Sequence, residues 1–460
     1  MSYKNGVNRL QVGQEVKLQI TDINRYGEGI GRSSEGMVVF VPSAVTGELV
    51  TAGVTELRKK YARAVLLSTA QVSEHRVQPV CELAERCGGC NLQHIAYEEQ
   101  LRWKTAQVRQ NLVRIGRVEG DVVRDIIGMA DPWHYRNNVR YKVQRQGGQV
   151  ILGFFAAESH RLAVGDGGGV GPDCLLAHRD INRVAKSIQT LLADSRADAL
   201  RIEEIMLRRS SNGEIMVVLI DSSAGIQRGE GLAWLAQQIS AIPGVATVVN
   251  LVRSTGKRKS EQYETLAGSG YIEDEIDRLR FRISAASFYQ VNPVQTALLY
   301  QQALNYCALQ GHEQVADAYC GVGTIALYVA RYAQAVRGYE VVSGAVRDAE
   351  ANAALNGSKN ARFFAGAVER VLPEQVARGY RPEVVVLDPP RSGCRPEVLE
   401  SLAQSGARRL VYVSCDPATL ARDVGYLYRL GFLLQEAQPV DMFPYTGHVE
   451  TVVLMSRVKE

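Results

Sequence analysis

The sequence predicts an α/β protein with a doubly wound, Rossmann-like sheet at its C-terminal end and a small OB-like β-barrel at its N-terminal end. From residue 287 onwards, short apolar strands alternate with helices, a pattern typical of a parallel sheet. Residues 8–70 contain about five short strands separated by turns, which is typical of a small barrel. A central α+β region is indicated by two hairpin patterns, which turn at Gly147–Gly148 and Asn212–Gly213. The predicted domains are residues 1–72, 73–275 and 276–460.

The composition is ordinary for a globular protein. Of the 460 residues, 46% are apolar and 22% are charged, and no apolar run reaches the ~18 residues of a membrane span. The N-terminus lacks the apolar segment of a signal peptide, so we expect a cytoplasmic protein with no membrane partner. No sequence feature indicates an obligate protein partner.

Basic residues are concentrated in two places. Residues 101–150 contain ten Lys or Arg against four Asp or Glu, although the whole chain has a net charge of only +4. A second basic group, Arg58, Lys59, Lys60 and Arg63, falls near the last predicted barrel strand. Both stretches fit surfaces that follow a phosphate backbone, and both also fit ordinary solvated faces.

Three cysteines within ten residues indicate a metal centre. Cys81, Cys87 and Cys90 surround a Gly88–Gly89 pair that allows a tight turn. Cys174, which follows a glycine-rich loop at Gly165–Gly171 and precedes a predicted helix, is the best fourth ligand. Four thiolates fit an iron–sulfur cluster or zinc. A histidine could complete a zinc site instead, and the candidates are His94, His160 and His178.

The remaining elements follow from periodicity. Helices are predicted over 97–116, 229–243, 294–309, 325–332, 343–355 and 418–430. Strands are predicted over 245–252, 278–284, 314–318, 336–340, 384–387, 408–413, 434–440 and 448–456.

Cys415 stands where one of these strands ends and a helix begins. Asp416 is a suitable N-cap, and Pro417 fits the first helical position. Ligands of open α/β sheets bind at the carboxyl ends of strands. We therefore interpret Cys415 as a candidate nucleophile whose pKa is lowered by the helix N-terminus, with a buried structural cysteine as the alternative.

Two further strand ends carry ligand-binding patterns. Gly321-Val322-Gly323 lets a nucleotide-like ligand approach the backbone, and Glu340 is placed to accept ribose hydroxyls. These features also fit a nicotinamide dinucleotide. Asp317 is poorly suited to face a pyrophosphate, which favours S-adenosylmethionine. The Asp388-Pro389-Pro390-Arg391 segment holds a carboxylate outward at a third strand end.

Together these motifs resemble one family. The motifs FYQVN at 288–292, DAYCGVG at 317–323, DPPR at 388–391, SCDP at 414–417 and HVET at 448–451 are similar to those of the RNA uracil-5-methyltransferases. The barrel resembles a TRAM domain. With the four cysteines, the whole chain resembles the branch that methylates 23S ribosomal RNA, including its dual-site members.

The resemblance implies a role for each residue. Cys415 falls on the nucleophile that adds to uracil C6, and Glu450 falls on the base that removes the C5 proton. Gln290, Tyr319, Glu340 and Asp388 fall on positions that contact S-adenosylmethionine. Cys81, Cys87, Cys90 and Cys174 fall on the ligands of a 4Fe–4S cluster. The implied partner is 23S ribosomal RNA, with transfer RNA as the alternative substrate.

Three other functions are weighed against this one. A radical S-adenosylmethionine methylthiotransferase would need a shorter gap than the one between Cys81 and Cys87. A non-catalytic RNA-binding assembly factor would not need Cys415 and Glu450 at strand ends. A DNA methyltransferase is not excluded by the barrel or by the basic stretches.

Overall fold

The structure, a computed structural model, describes residues 10–146, 148–157, 159–163, 173–198, 200–221, 230–253 and 261–458. The strands are β1 (Glu15–Gln19), β2 (Asp22–Ile23), β3 (Glu28–Arg32), β4 (Val38–Pro42), β5 (Leu49–Leu57), β6 (Tyr61–Gln71), β7 (Asn138–Gln146), β8 (Gln149–Gly153), β9 (Glu204–Arg209), β10 (Ile215–Asp221), β11 (Val245–Arg253), β12 (Glu261–Ala267), β13 (Tyr271–Ile276), β14 (Leu279–Ser284), β15 (Gln314–Ala318), β16 (Ala335–Glu340), β17 (Ala361–Ala365), β18 (Val384–Leu387), β19 (Arg409–Ser414), β20 (Phe432–Val440) and β21 (Glu450–Arg457). The helices are α1 (Tyr97–Arg114), α2 (Arg179–Leu192), α3 (Glu230–Ser240), α4 (Pro293–Cys307), α5 (Thr324–Ala330), α6 (Ser343–Leu355), α7 (Val368–Ala377), α8 (Pro396–Ser405) and α9 (Pro417–Arg429).

The chain divides into two units. The first is formed from Met1–Trp103, Phe155–Ala163 and Phe443–His448, and the second from Lys104–Phe154, Val164–Met442 and Val449–Glu460. The predicted three-domain boundaries stay a prediction. In the described ranges, no helix is long and apolar enough to cross a bilayer.

The first unit contains the predicted barrel of strands. Its sheet has six strands in the order β1-β5-β6-β4-β3-β2, one more than expected because β2 is only two residues long. All neighbours are antiparallel except β4 and β6. Alternate residues of β4 and β5, such as Val39, Val41 and Val50, are buried in its core.

Three loops of the first unit meet at Asn91, directly after Cys90. The backbone N–H of Asn91 donates to the Tyr445 carbonyl, and the side-chain amide of Asn91 donates to the Arg25 carbonyl. The Gly447 N–H donates to Asn91 Oδ1 at 3.1 Å. A Cβ on Gly447 would stand 2.0 Å from the Arg25 oxygen, so only glycine fits there.

The second unit begins with a mixed six-stranded sheet in the order β12-β11-β10-β9-β7-β8. Both predicted hairpins form, although Gly147 of the first turn lies outside the described residues. The glycine-rich loop at Gly165–Gly171, which precedes Cys174, also lies outside them. The two hairpins are antiparallel, as hairpins must be, whereas β10 and β11 are parallel. A parallel pair needs a crossover, and the helix α3 between them provides it.

The C-terminal sheet confirms the doubly wound prediction. Its seven strands have the order β17-β16-β15-β18-β19-β21-β20, and only β21 runs against its neighbours. The strand order reverses between β15 and β18, which is the switch point where such sheets bind ligands. The sequence patterns did not predict β17, α7 and α8; neither helix has a side-chain N-cap, and α7 contains Pro373.

A buried ion pair lies in the second unit. Lys104 Nζ lies 2.6 Å from Asp441 Oδ1, and both side chains are fully excluded from solvent. Burial lowers the pKa of Lys104, and the Asp441 carboxylate opposes that effect. Removing one partner would leave the other charge uncompensated in the interior.

We expect Lys104→Met to lower the free energy of unfolding by about 3–5 kcal/mol, because the Asp441 carboxylate then stays buried without its ammonium partner. The double variant K104M/D441L should recover most of this loss, since it removes both charges. Denaturant titration followed by circular dichroism measures the difference. Lys186→Met, which breaks the exposed pair with Asp173, is the matched control and should leave the midpoint unchanged. A K104M protein as stable as this control would contradict the expectation.

Candidate active site

The candidate site lies at the carboxyl edge of the C-terminal sheet. The parallel register pairs Ala318 with both Tyr339 and Leu387, and it pairs Leu387 with Tyr412. The residues that follow these strands therefore emerge side by side. Each carries a predicted site residue: Tyr319 after β15, Glu340 at the end of β16, Asp388 after β18 and Cys415 after β19.

Glu450 reaches the same edge from the opposite direction. Strand β21 is antiparallel to β19, and Ser414 pairs with Thr451. Cys415, one residue beyond Ser414, and Glu450, one residue before Thr451, are thus neighbours at one end of this strand pair. Glu450 is only 5% exposed, whereas Cys415 is partly buried.

The helix after Cys415 begins as predicted. The Asp416 carboxylate accepts hydrogen bonds from the backbone N–H groups of Ala418 and Thr419, both at 3.0 Å, and α9 begins at Pro417. The Asp416 charge therefore occupies the anion position at the helix N-terminus.

The predicted lowering of the Cys415 pKa is wrong. Burial first, and then the Glu450 charge, raise the pKa of Cys415 to about 11, and only Arg391 among the nearby side chains lowers it. Since Asp416 caps α9, the favourable end of the helix is already used by another anion. In this structure the thiol is protonated at neutral pH.

Acidic side chains gather beside the thiol. Burial, with a contribution from Asp388, raises the pKa of Glu450 to about 8. Burial also raises the pKa of Asp388 to about 7 and holds that of Asp317 well above its usual range. Arg391 opposes the shift at Glu450. Such paired carboxyls with displaced pKa values are typical of catalytic sites.

The glycine loop after β15 has the conformation that its sequence predicts. Gly321 and Gly323 have φ angles of +55° and +83°. The Glu340 carboxylate accepts hydrogen bonds from the N–H groups of Gly321, at 3.2 Å, and Val342, at 2.8 Å. Nothing lies within 4 Å of the position that a Cβ on Gly321 would occupy, so a ligand has room to approach this backbone.

Tyr319 adopts a left-handed conformation between β15 and this loop. Its φ angle is +70°, which is uncommon for a residue other than glycine. The hydroxyl donates to Glu369 Oε1 at 3.3 Å. Burial raises the pKa of Tyr319 well above its usual range. A strained backbone held in this way is typical of functional sites.

Gln290 is buried next to the start of α4. Its carbonyl accepts a hydrogen bond from the Asn137 side chain at 3.1 Å. The Asn292 side chain caps α4, and it also donates to the carbonyl of Met442, which follows β20. Because Val440 pairs with Glu450, these bonds anchor α4 at the edge that carries Glu450.

Sequence analysis assigned no role to three residues of this edge. Arg391 influences both Cys415 and Glu450, and Glu369 accepts the Tyr319 hydroxyl. The Tyr300 hydroxyl contacts Thr324 Oγ1 at 3.1 Å, and Asp388, Asp317 and Glu450 all contribute to its raised pKa. Arg391 was visible in the Asp388–Arg391 motif, but no local signal marked the other two.

The four predicted metal ligands are not joined by disulfide bonds. Cys81, Cys87 and Cys90 belong to the first unit and Cys174 to the second, and all four are partly buried. The Gly89 N–H donates to Cys87 Sγ at 3.4 Å. In the part of the chain that the structure describes, no three His, Cys, Asp or Glu side chains converge as metal ligands do.

Comparisons with known proteins identify the family to which this chain belongs. A model of the tRNA (Uracil-5-)-methyltransferase family matches residues 96–458, and a TRAM domain model matches residues 9–67. The chain belongs to the RNA uracil-5-methyltransferase family. It is therefore an S-adenosylmethionine-dependent enzyme that acts on RNA, and the strands of its first unit include a TRAM domain.

Relatives of this methyltransferase match along their full length. The chain is 39% identical to an uncharacterized RNA methyltransferase of Clostridium acetobutylicum, over 96% of this chain and 97% of the relative. It is 40% identical to another from Halalkalibacterium halodurans, over 96% of each chain. A Pyrococcus abyssi tRNA (uracil-54, C5)-methyltransferase, solved with S-adenosyl-L-homocysteine, shares the fold with a TM-score of 0.73. That match has 23% identity and covers 95% of this chain and 100% of that one.

The charges around Cys415 predict opposite effects of two substitutions on its reactivity. Glu450→Gln removes a charge that raises the thiol pKa, so alkylation should become faster; Arg391→Met removes a charge that lowers it, so alkylation should become slower. At a pH well below the thiol pKa, a change of one unit in that pKa changes the thiolate fraction about tenfold. Iodoacetamide labelling at about pH 9, where Glu450 is mostly ionised, measures the rates when read by peptide mass spectrometry.

Cys307 provides the internal control for this experiment. It is fully buried, so it should stay unlabelled in each variant that remains folded. Equal labelling rates of Cys415 in both variants would contradict the charge arrangement.

Proposed function

We propose that this methyltransferase forms 5-methyluridine in 23S ribosomal RNA through a covalent bond between Cys415 and uracil C6. Glu450 then removes the proton from C5. The observation that carries this proposal is the pairing of Ser414 with Thr451, which makes a thiol and a buried carboxyl neighbours at a ligand-binding sheet edge.

The chemistry needs both groups. Uracil C5 is a weak nucleophile, so the Cys415 thiolate adds to C6 and the displaced electron pair makes C5 electron-rich. C5 would then take the sulfonium methyl group that S-adenosylmethionine supplies, and the electron pair of the broken S–CH₃ bond would stay on that sulfur. Glu450 accepts the C5 proton, the C–H electron pair re-forms the C5–C6 double bond, and the thiolate leaves. Each group ends in the state in which it began once Glu450 has released its proton.

The pKa values of Glu450 and Cys415 in the ligand-free site are compatible with these reaction steps. A carboxyl with a pKa of about 8 is a stronger base than an ordinary glutamate, which suits removal of a carbon-bound proton. The thiol, with a pKa of about 11, first has to lose its proton to solvent, and it takes a proton back after the thiolate leaves C6. Arg391 is the charge that assists this step.

The residues present fit S-adenosylmethionine, which would supply the methyl group. Within the described ranges no well-formed hydrogen bond reaches either oxygen of the buried Asp317 carboxyl group, although the Ala326 N–H lies close enough to lower its pKa, so these oxygens can still accept from a cationic ligand group. Glu340, oriented by the Gly321 amide, suits ribose hydroxyls. We assign Gln290, Tyr319, Glu340 and Asp388 to this binding site, and Asp388 could also contact the uracil.

The RNA must deliver a base out of its stack. Extruding a nucleotide costs roughly a few kcal/mol, which contacts elsewhere must offset. The TRAM strands and the basic stretch at 101–150 are the candidates for these contacts. The choice of 23S ribosomal RNA over transfer RNA rests on the resemblance of the whole chain, with its four cysteines, to the branch that methylates 23S ribosomal RNA.

For the four cysteines, the donor chemistry fits a 4Fe–4S cluster, but the described geometry does not gather three ligands at one point. We keep Cys81, Cys87, Cys90 and Cys174 as the proposed ligands and derive no catalytic step from the cluster.

The function is tested with labelled S-adenosylmethionine and two unmodified substrates, 23S ribosomal RNA and bulk transfer RNA. We expect label at C5 of uridine in 23S ribosomal RNA, and none with Cys415→Ala, because alanine cannot add to C6. Nucleoside mapping locates the label. Cys307→Ala, which changes a buried cysteine at the end of α4, is the matched control and should leave the labelling unchanged.

The outcomes separate the alternatives. Label only in transfer RNA would keep the mechanism and overturn the substrate. Label that persists with Cys415→Ala would overturn the nucleophile. No label with either RNA, from folded protein that binds RNA, would overturn the proposed function in favour of an assembly factor.

For the cluster, we expect about four iron and four sulfide per chain in anaerobically purified protein. Cys87→Ser should lower both contents, because serine is a poor ligand for iron in such clusters. Cys307→Ser, at a buried cysteine outside the proposed set, is the matched control. Zinc without sulfide would replace the cluster with a zinc site.

A further inference from the structure

We infer that Asp423 is a positioning residue that holds the Asp388–Arg391 loop in place beside Cys415. This inference rests on the proposed function. Asp423 lies on α9, eight residues after Cys415, and is 1% exposed.

One carboxylate oxygen of Asp423 joins two neighbouring segments. Oδ2 accepts hydrogen bonds from the backbone N–H of Cys394, at 2.8 Å, and from the hydroxyl of Tyr412, at 2.7 Å. Cys394 follows the Asp388–Arg391 motif by three residues, and Tyr412 precedes Cys415 by three residues on β19. Asp423 thus ties the loop after β18 to the strand and the helix that flank Cys415.

The other oxygen strengthens this link through Arg422. Asp423 Oδ1 accepts from Arg422 Nε at 2.8 Å, and Arg422 Nη2 donates to the Ser392 carbonyl at 2.8 Å. Asp423 and Arg422 therefore hold the loop at Cys394 and at Ser392, on either side of Gly393. Hydrogen bonds to a charged, buried carboxylate are among the stronger ones in proteins.

The loop sequence is adapted to this contact. Gly393 has a φ angle of +75°, and a Cβ there would lie 2.5 Å from Asp423 Oδ2. No residue with a side chain fits this approach without displacing the carboxylate. The Gly393 N–H donates to the Pro390 carbonyl at 2.8 Å, so the position of Gly393 also fixes the Asp388–Arg391 motif.

The contacts continue to the proposed cofactor side of the edge. Burial raises the pKa of Cys394, and the neighbouring Tyr412 and Tyr319 side chains oppose that effect. The Tyr319 hydroxyl donates to Glu369. Cys394 therefore lies between the segment that Asp423 holds and the proposed cofactor residue Tyr319.

The consequence for catalysis follows from what the loop carries. Arg391 lowers the pKa of Cys415, and Asp388 raises it. If the loop moves, the thiol loses its assisting cation and the reacting groups lose their alignment. Misplacement by about 1 Å costs on the order of a hundredfold in rate.

Three variants test the inference. Asp423→Asn keeps the side-chain volume, but its amide N–H₂ has to face either Arg422 Nε or the Cys394 N–H and the Tyr412 hydroxyl, all of which are donors. Tyr412→Phe removes only the hydrogen bond from the hydroxyl to Asp423. Tyr426→Phe is the matched control on the same helix, because it removes an exposed hydroxyl bonded to Glu400. The readouts are kcat and KM for methyl transfer to RNA and the rate of Cys415 alkylation at about pH 9.

We expect kcat to fall about tenfold to a hundredfold in D423N and less in Y412F, with KM for RNA unchanged and Y426F equal to the unmodified enzyme. Cys415 alkylation should slow in D423N, because Arg391 no longer assists ionisation. A kcat within about twofold of the unmodified enzyme in both variants would overturn the inference. Faster alkylation would overturn it as well, since simple opening of the site exposes the thiol to water.

Two further safeguards keep the test decisive. If D423N does not fold, as judged by circular dichroism, the result for Y412F decides the question. If the unmodified enzyme transfers no methyl group to RNA, the proposed function fails, whereas the alkylation rates of D423N and Y412F still accept or reject the positioning role.

Discussion

The pairing of β19 with β21 is the constraint on which the site depends. In a parallel sheet, residues at strand ends come together only with other strand ends. The reversed strand β21 instead brings its first residue, Glu450, to the end of β19. A shift of the register by one residue would turn Glu450 to the other face of the sheet, since side chains alternate along a strand. The buried residues of β19 and β21, such as Val411 and Val453, resist that shift.

A second constraint is electrostatic. Glu450, Asp388 and Asp317 lie in a poorly solvated edge that favours their neutral forms. Arg391 is the nearby charge of opposite sign. The site therefore holds a strong base and a protonated thiol in the absence of ligands, and binding of charged ligands would change both. This balance explains why a thiol beside a helix N-terminus has a raised pKa here.

The hydrogen bonds that hold the carboxyl edge of the C-terminal sheet in place join segments that are far apart in the chain. Asn292 ties α4 to Met442, and Asp423 ties the Asp388–Arg391 loop to Tyr412. Each of these side chains is buried and makes more than one hydrogen bond. Removing one partner leaves polar groups unsatisfied in the interior, so such positions tolerate substitution poorly.

The sequence by itself determined the elements of the edge and their order. Local chemistry predicts β18 and the start of α9, because Val384–Leu387 is an unbroken apolar run and because Asp416 and Pro417 act within a few residues. The motif residues Cys415, Glu340 and Asp388 could be recognised because each belongs to a short stretch at a strand end. Helices α7 and α8 were not predicted; neither has a side-chain N-cap, and α7 contains Pro373.

Only the tertiary structure decided how these residues act on one another. The pKa of Cys415 depends on Glu450 and Arg391, which are distant in sequence and meet it through strand register and loop contacts. Asp423 reads as an ordinary helix residue until the loop that it holds is folded against it. Burial and long-range charge are properties of the packed chain, so no local pattern could have shown them.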